Sequence, residues 1–382
     1  MFGIYIHVPF CRSRCIYCGF YSTELLPLRQ RYVDALCREM ELRSFHAPSV
    51  WSRGEVATVY LGGGTPSQLS EPQLQQLFLY INKVYGFPRK NDVEVTMECN
   101  PDDITADYAA MLSQLPVNRV SMGVQTFSDE RLRFLHRRHS SRQIPQAVEL
   151  LRQAGINNIS IDLMYGFPDE TLEDWHRDID EALALQVEHL SAYALQYEEG
   201  TPLYLMREQG RVKETDEELS RQMYYDLTDR LAAAGYEHYE ISNWARFPQF
   251  HNSFRSRHNS GYWNQTPYLG LGAAAHSYDG QGRQWNVADV KKYIEGVERG
   301  QLLFEREDLD ENTRYNDLVM TALRTREGLS LDSLSEVFCT YCLQNAWKYL
   351  DDGLLIKEKG RLRLSRKGLF VSDMVMADLM MV

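Results

Sequence analysis

The stretch Cys11-Arg-Ser-Arg-Cys15-Ile-Tyr-Cys18 follows the apolar run Gly3–Val8 directly. Its cysteines are spaced C-x3-C-x2-C, and no fourth cysteine stands nearby. Ferredoxin-type iron–sulfur clusters use four thiolates. Three thiolates leave one iron with a coordination position for a ligand that is not protein. A zinc knuckle would want a fourth Cys or His at ribbon spacing. His7 is close, but it lies on the strand-like run before the loop. Cys11, Cys15 and Cys18 are therefore read as ligands of a cluster with one open iron.

The same order, an apolar run followed by a helical pattern, recurs along the chain. Strand-like runs fall at Gly3–Val8, Thr58–Leu61, Val93–Met97, Arg119–Val124, Ile159–Met164 and Leu190–Leu195. They lack clean alternation, as strands buried on both faces do. Helical patterns occupy Leu28–Ser44, Glu71–Tyr85, Ala106–Leu115, Asp129–Ala154, Thr171–Leu185 and Glu217–Ala234. Gly155 and Gly235 stand where a C-terminal cap belongs. Repeated β–α units imply a parallel sheet. Six of them predict an α/β fold, an open three-quarter (β/α)6 TIM-type barrel; a doubly wound sheet is the alternative. The unusual residues then converge. The cysteine loop, Gly62-Gly-Gly-Thr-Pro66, Glu98-Cys-Asn-Pro101, Gln125, Asp162 with Tyr165-Gly-Phe-Pro168, and Tyr193 to Tyr197 all stand at the C-terminal ends of strands. Parallel barrels build their active sites there.

Beyond the barrel, assigned to residues 1–200, residues 201–311 are less periodic. They carry His251, His258-Asn-Ser-Gly-Tyr262-Trp263, Tyr268 and His276. Residues 312–382 read as a small winged-helix-like α+β domain: helical stretches at Arg314–Arg324 and Leu331–Leu350, then two short strands about a Gly turn. The net charge of −12 argues against a nucleic-acid partner, which needs a basic stripe. No apolar run is long enough to span a bilayer, which leaves only peripheral membrane contact. Seven cysteines, an odd number, do not suggest a secreted disulfide framework. No signal-peptide pattern precedes Phe2, so a cytoplasmic location is expected. Cys37 reads as a small core residue. Cys339-Thr-Tyr-Cys342 lacks a second pair and reads as structural or incidental.

Each remaining motif has a plain reading beside the functional one. Gly62–Gly64 makes a tight turn, or lets backbone groups approach a ligand closely. Glu98 caps a helix, or pairs with a cationic ligand. Arg137, in His136-Arg-Arg-His139, belongs to a solvated helix face, or reaches a carboxylate. His258 and Tyr262 pack a polar loop, or serve a porphyrin-sized site, since imidazole binds haem iron.

Taken together, Tyr5-Ile-His-Val-Pro-Phe-Cys11, the cysteine loop, Gly-Gly-Gly-Thr-Pro, Glu-Cys-Asn-Pro, Ser121-Met-Gly-Val-Gln-Thr-Phe127 and Ile161-Asp-Leu-Met-Tyr-Gly-Phe-Pro168 resemble the oxygen-independent coproporphyrinogen III oxidase family of radical S-adenosylmethionine (SAM) proteins. Within it the sequence is most similar to the HemW-type haem chaperones. It starts directly at strand one, it has Phe20 where the oxidases have a further cysteine, and His258-Asn-x-x-Tyr262-Trp263 matches a signature associated with haem binding. Gly19 departs from the Asp that is usual there in HemW-type proteins. The resemblance implies a [4Fe–4S] cluster on Cys11, Cys15 and Cys18, with SAM contacted by Tyr5, Gly63 and Glu98. Gly64, Thr65, Gln125, Arg137 and Asp162 match positions that hold a second SAM in the oxidases. The implied cargo is haem, with His258 as an axial-ligand candidate, and the implied partners are apo-haemoproteins such as respiratory enzymes. The rival activities are oxidative decarboxylation of coproporphyrinogen III and reductive opening of haem.

Overall fold

The computed structural model describes residues 1–46, 48–52, 54–86, 92–247 and 253–381. Six strands pair in parallel in chain order: β1 (Phe2–Val8), β2 (Val56–Gly63), β3 (Glu94–Cys99), β4 (Arg119–Gln125), β5 (Ile159–Tyr165) and β6 (His189–Ala194). Their residues are buried almost without a break; in β1 and in β5 six of the seven residues are buried. This is why each strand reads as a continuous apolar run: both faces are covered, one by helices and one by the interior. Helices Arg29–His46, Glu71–Tyr85, Ala106–Gln114, Leu172–Ala184 and Glu217–Ala233 fill the connections. Ser70 with Gln73, and Thr171 with Asp174, form reciprocal capping boxes that fix two of the helix starts.

One predicted helix is two. The pattern over Asp129–Ala154 folds as Asp129–Phe134 and Gln143–Gln153. The break falls at His136, whose φ of 60° takes the chain out of the helix. Arg138 holds the turn by ion pairs to Asp102 and Asp103, each 2.9 Å. Residues 136–143, His-Arg-Arg-His-Ser-Ser-Arg-Gln, carry no apolar side chain, and this lapse in the periodicity is the sequence signal of the break.

The sheet does not close. Its order is β12 (Phe304–Asp308), β11 (Gly282–Asn286), β10 (His276–Tyr278), β9 (Tyr268–Leu271), β1, β2, β3, β4, β5, β6, β8 (Asn243–Arg246) and β7 (Tyr236–Glu240). Residues beyond 200 extend it at both ends. The hairpin β7 (Tyr236–Glu240) and β8 (Asn243–Arg246) adds antiparallel to β6. On the other side β9 (Tyr268–Leu271) pairs parallel to β1. The antiparallel strands β10 (His276–Tyr278), β11 (Gly282–Asn286) and β12 (Phe304–Asp308) follow it. The edge strand β12, Phe-Glu-Arg-Glu-Asp, is exposed throughout and charged, which discourages pairing with another sheet. The β7 edge is covered by the chain after residue 323, through Ile241 N–H to Arg324 O and Arg326 N–H to Tyr239 O, both 3.0 Å.

The C-terminal part packs helices Glu311–Leu323 and Glu336–Asp351 against a three-stranded sheet of β13 (Leu329–Ser330), β14 (Leu355–Glu358) and β15 (Arg361–Leu364), in the order β13-β15-β14. Tyr315, Val319, Leu323, Cys342 and Leu362 form its own core. Cys339 and Cys342 both lie on the second helix, with Cys342 buried and its thiol raised by that burial. Cys37 is buried in the main core. Among the described residues no helix is long and apolar enough to cross a membrane.

One buried ion pair ties helix Arg29–His46 to the added strands. Glu39 accepts from Arg43 Nε, Asn286 Nδ2 and Gly272 N–H, each at 2.8 Å, and from the Tyr293 hydroxyl at 2.6 Å. Glu39→Ala strands a buried guanidinium, so it is expected to cost about 3–5 kcal/mol. Arg31→Ala removes only an exposed pair with Glu298 and is expected to change stability far less. Urea-unfolding midpoints of the two variants test the contrast.

Candidate functional site

The cysteine loop is pinned at its base and its tip. At the base, Cys11 N–H donates to Thr23 O at 3.0 Å and Thr23 N–H to Pro9 O at 2.7 Å. At the tip, Ile16 is buried against Leu135, Met164, Phe167, Leu195 and Leu203. Its N–H donates to Leu135 O at 3.3 Å, and its carbonyl accepts from Leu203 N–H at 2.9 Å. The loop thus spans from β1 to the turns after β4 and β6. All three thiols are half-buried on the wall of one cavity of about 450 Å³.

The donor set fits a cluster better than a single ion. Among the described residues no three His, Cys, Asp or Glu side chains converge to hold one metal ion. A cluster instead takes one thiolate per iron, and three separated thiols on one wall supply that. Two sulfurs already have polar neighbours. Thr65 Oγ1 lies 3.4 Å from Cys11 Sγ, and Arg137 Nη1 donates to Cys15 Sγ at 3.6 Å. Burial pushes the Cys18 thiol up to about 11 and raises Cys11 as well; a bound metal reverses that by holding the thiolate. Arg137 Nε is buried without a partner, so the guanidinium retains an unused donor in this region.

The glycines of β2 let three strand ends close together. Gly63 has φ 107°, and a Cβ there would run into the His7 ring. A Cβ on Gly62 would stand 2.8 Å from Glu98 Oε1, and one on Gly64 would stand 2.7 Å from the carbonyl carbon of Pro9. Glu98 sits inside this packing. It accepts from the Tyr60 hydroxyl at 2.8 Å and from Gly63 N–H at 3.0 Å. Burial still dominates and pushes its carboxyl up to about 7. Asp162 is likewise raised by burial, and Ser121 Oγ approaches it at 3.4 Å. Gln125 closes β4 at a bulge with φ 69°; left-handed non-glycine backbone of this kind gathers at functional sites. Arg137 crosses behind Gln125 and bonds Asn100 Oδ1 at 2.7 Å and Gly123 O at 2.5 Å. It is a half-buried loop residue on the cavity wall and not part of a solvated helix face.

Gly63, Gly64, Thr65, Glu98, Gln125, Arg137 and Asp162 all line the cavity with the cysteines. Tyr5 and His258 do not. Tyr5 is in register with Tyr60, its ring centroid 6.2 Å away, and its hydroxyl bonds His7 Nδ1 at 3.0 Å. His258 lies one layer lower, beside Thr58 and Gly3 near the N-terminal ends of the strands. It belongs to the short helix Arg257–Trp263, whose first N–H groups, on Arg257 and His258, donate to Glu94 at 3.0 and 2.9 Å. His258 is buried. Its Nδ1 is 2.7 Å from Thr58 Oγ1, and its Nε2 is 2.8 Å from the Tyr262 hydroxyl. As folded here, neither ring nitrogen is open to an iron. Burial lowers its pKa to about 3, so it stays neutral. His251 lies outside the described residues. Sequence reasoning passed over Tyr60, which holds Glu98. Its place two residues before Gly62, on the same strand face, was the available signal.

An open parallel barrel carrying three loop thiols at its C-terminal rim defines a radical SAM protein. The model of the Radical SAM superfamily matches residues 5–182, and that of the HemN C-terminal domain matches residues 309–371. That superfamily implies a [4Fe–4S] cluster and SAM. "Heme chaperone HemW" of Bacillus subtilis is 35% identical, over 88% of this chain and 87% of its own length. The protein of the same name from Mycobacterium tuberculosis (strain H37Rv) is 34% identical, over 99% and 95%. The chain belongs to the HemW family. The solved structure of coproporphyrinogen III oxidase (HemN) from Escherichia coli aligns with a TM-score of 0.82, covering 99% of this chain and 89% of that one. At 22% identity this likeness shows the fold.

Glu98 links the site to pH. Its folded pKa of about 7 lies above the ordinary carboxyl value of 4.5, so the folded state holds the proton more tightly than the unfolded chain. Its contribution to stability therefore falls as pH rises from about 4.5 to about 7. Glu98→Gln in the metal-free protein is expected to remove that component. The measurement is the unfolding midpoint at pH 5 and pH 8 for both proteins. An identical pH dependence would refute the shift.

Proposed function

We propose that this protein is a cytoplasmic haem chaperone, which binds haem and passes it to apo-haemoproteins such as respiratory enzymes. It does so with a [4Fe–4S] cluster on Cys11, Cys15 and Cys18 and with SAM beside it. The observation that carries this reading is the single cavity lined by those three thiols, Glu98 and Arg137, in a chain 35% identical to a protein named for haem chaperoning. When bound, the cluster supplies one-electron chemistry to SAM on its open iron.

The chain's own residues prepare that site. Thr65 and Arg137 polarise the sulfurs of Cys11 and Cys15, and such hydrogen bonds tune a cluster's potential. Tyr60 and the Gly63 amide orient the Glu98 carboxylate, which becomes the anionic partner for a cationic ligand once it loses its proton. Asp162, Gln125 and Gly64 continue the polar wall. Tyr5 backs it through Tyr60. The cavity is near the small end of ligand pockets, which run from about 300 to 1,000 Å³. It suits one SAM beside a cluster, and a porphyrin then needs a place outside it. Phe20, 72% exposed on the wall, stands where the resemblance puts a further cysteine in the oxidases. That favours chaperoning over porphyrin decarboxylation.

The reading predicts stoichiometric haem binding by the anaerobically reconstituted protein. It also predicts transfer to an apo-haemoprotein faster than free haem is taken up, followed by absorbance of the acceptor. Transfer no faster than that of free haem would sink the chaperone role.

A further inference from the structure

A guanidinium keeps its charge when it leaves water, so a buried arginine costs stability unless partners surround it. Arg43 has Glu39 and Asn286, and Arg137 has Asn100, the Gly123 carbonyl and Cys15. Arg119 has nothing of the kind. It is 1% exposed, the most deeply buried of these three. Its guanidinium makes no hydrogen bond, ion pair or ring contact among the described residues, and its Nε is buried without a partner.

Strand register fixes where this charge sits. Arg119 opens β4 opposite Thr96 of β3, and Thr96 stands opposite Tyr60 of β2. Thr96 Oγ1 is buried without a partner too, so two polar groups of one layer are left open. Arg119 lines the cluster cavity, together with Asn259 of the short helix. Gln125 closes the same strand at the rim; at about 3.3 Å per residue the two backbone positions lie roughly 20 Å apart. Arg119 therefore serves a lower part of the cavity than the thiols do. The neighbouring acids are no substitute for a partner. Glu98 and Asp162 line the cavity above it, yet neither lies within ion-pair distance of Arg119. Burial raises both carboxyls, Glu98 to about 7, and Arg119 only works against that rise. Burial lowers His189 and His258, and Arg119 adds to the effect. The guanidinium is thus left without a fixed counter-charge. One edge of a guanidinium matches a planar carboxylate through two parallel bonds. A phosphate dianion would set its second charge against Glu98 and Asp162.

We propose that Arg119 is the receptor for a carboxylate at the floor of this cavity. Binding is ion pairing, with no bond made or broken. The site stands on the orphaned charge and goes beyond the chaperone reading, which survives its failure. The carboxylate belongs either to a small free acid or to a propionate arm of a porphyrin that reaches in.

The test is equilibrium dialysis of radiolabelled propionate against the anaerobically reconstituted full chain. A single saturable site is expected, emptied by acetate and not by propionamide. Arg119→Met is expected to weaken binding roughly tenfold or more. Arg119→Lys keeps the charge and is expected to retain part of the binding, so the comparison survives any loss of packing in the Met variant. Arg119→Met also removes an uncompensated buried charge. Its urea-unfolding midpoint without added acid is therefore expected at or above that of the wild type. A lowered midpoint with unchanged propionate binding would show a merely structural arginine and overturn the site. So would no propionate binding by the wild-type protein, or displacement by inorganic phosphate at lower concentration than by acetate. Haem and its dimethyl ester then identify the source. Affinity lost in Arg119→Met for haem but not for the ester assigns the carboxylate to the porphyrin, and unchanged affinity for both assigns it to a free acid.

Discussion

Close approach of backbone at Gly62–Gly64 governs the geometry of the whole C-terminal rim. Gly62 and Gly63 end β2 and Gly64 follows it, between β1 and β3, where side chains would meet His7, Pro9 and Glu98. With no Cβ in the way, the Gly63 amide reaches Glu98 and the Gly64 amide reaches Val8 O at 2.9 Å. Thr65 then falls beside Cys11. The glycines are needed by the protein's own packing before any ligand is considered. A cofactor loop of this kind is preorganised, because the donors are fixed by strand pairing and not by the ligand.

The two ends of the barrel divide the work. At the C-terminal rim, half-buried thiols, carboxylates and a guanidinium share a cavity, and Arg137 Nε is buried there without a partner. At the opposite end, the helix Arg257–Trp263 is tied down more fully: Glu94 takes its first two amides and His258 is bonded on both sides, while Trp263 Nε1 is buried without a partner. Polar groups buried and fully paired rigidify a structure, whereas unpaired ones mark places built to meet something else. The buried Glu39 cluster ties the added strands to the first helix in the same saturated manner.

This contrast explains what could be read in the sequence. The six parallel strands were legible because burial on both faces leaves uninterrupted apolar runs such as Ile159–Met164. Strand-end motifs located the cavity because a parallel barrel puts its loops on one rim. The turn at His136–Arg138 was passed over although residues 136–143 carry no apolar side chain; its geometry, set by contacts with Asp102, Asp103 and Asn100 far off in sequence, was not legible. Nor were the strands after residue 235, which are short and pair with β1 and β6 across long separations. His258 illustrates a further limit. Its neighbours Asn259, Tyr262 and Trp263 read the same for a ligand as for a packed polar loop, and the bonds of its two ring nitrogens to Thr58 and Tyr262 carry no sequence signal.

The central claim is that this radical SAM cavity serves haem handling and not porphyrin synthesis. The most direct test gives the anaerobically reconstituted protein coproporphyrinogen III, SAM and a reductant, with mass spectrometry of porphyrins and 5′-deoxyadenosine in the same sample. The account predicts no vinyl-bearing porphyrin product from protein whose cluster is intact. Vinyl-bearing product accumulating over many turnovers would contradict it.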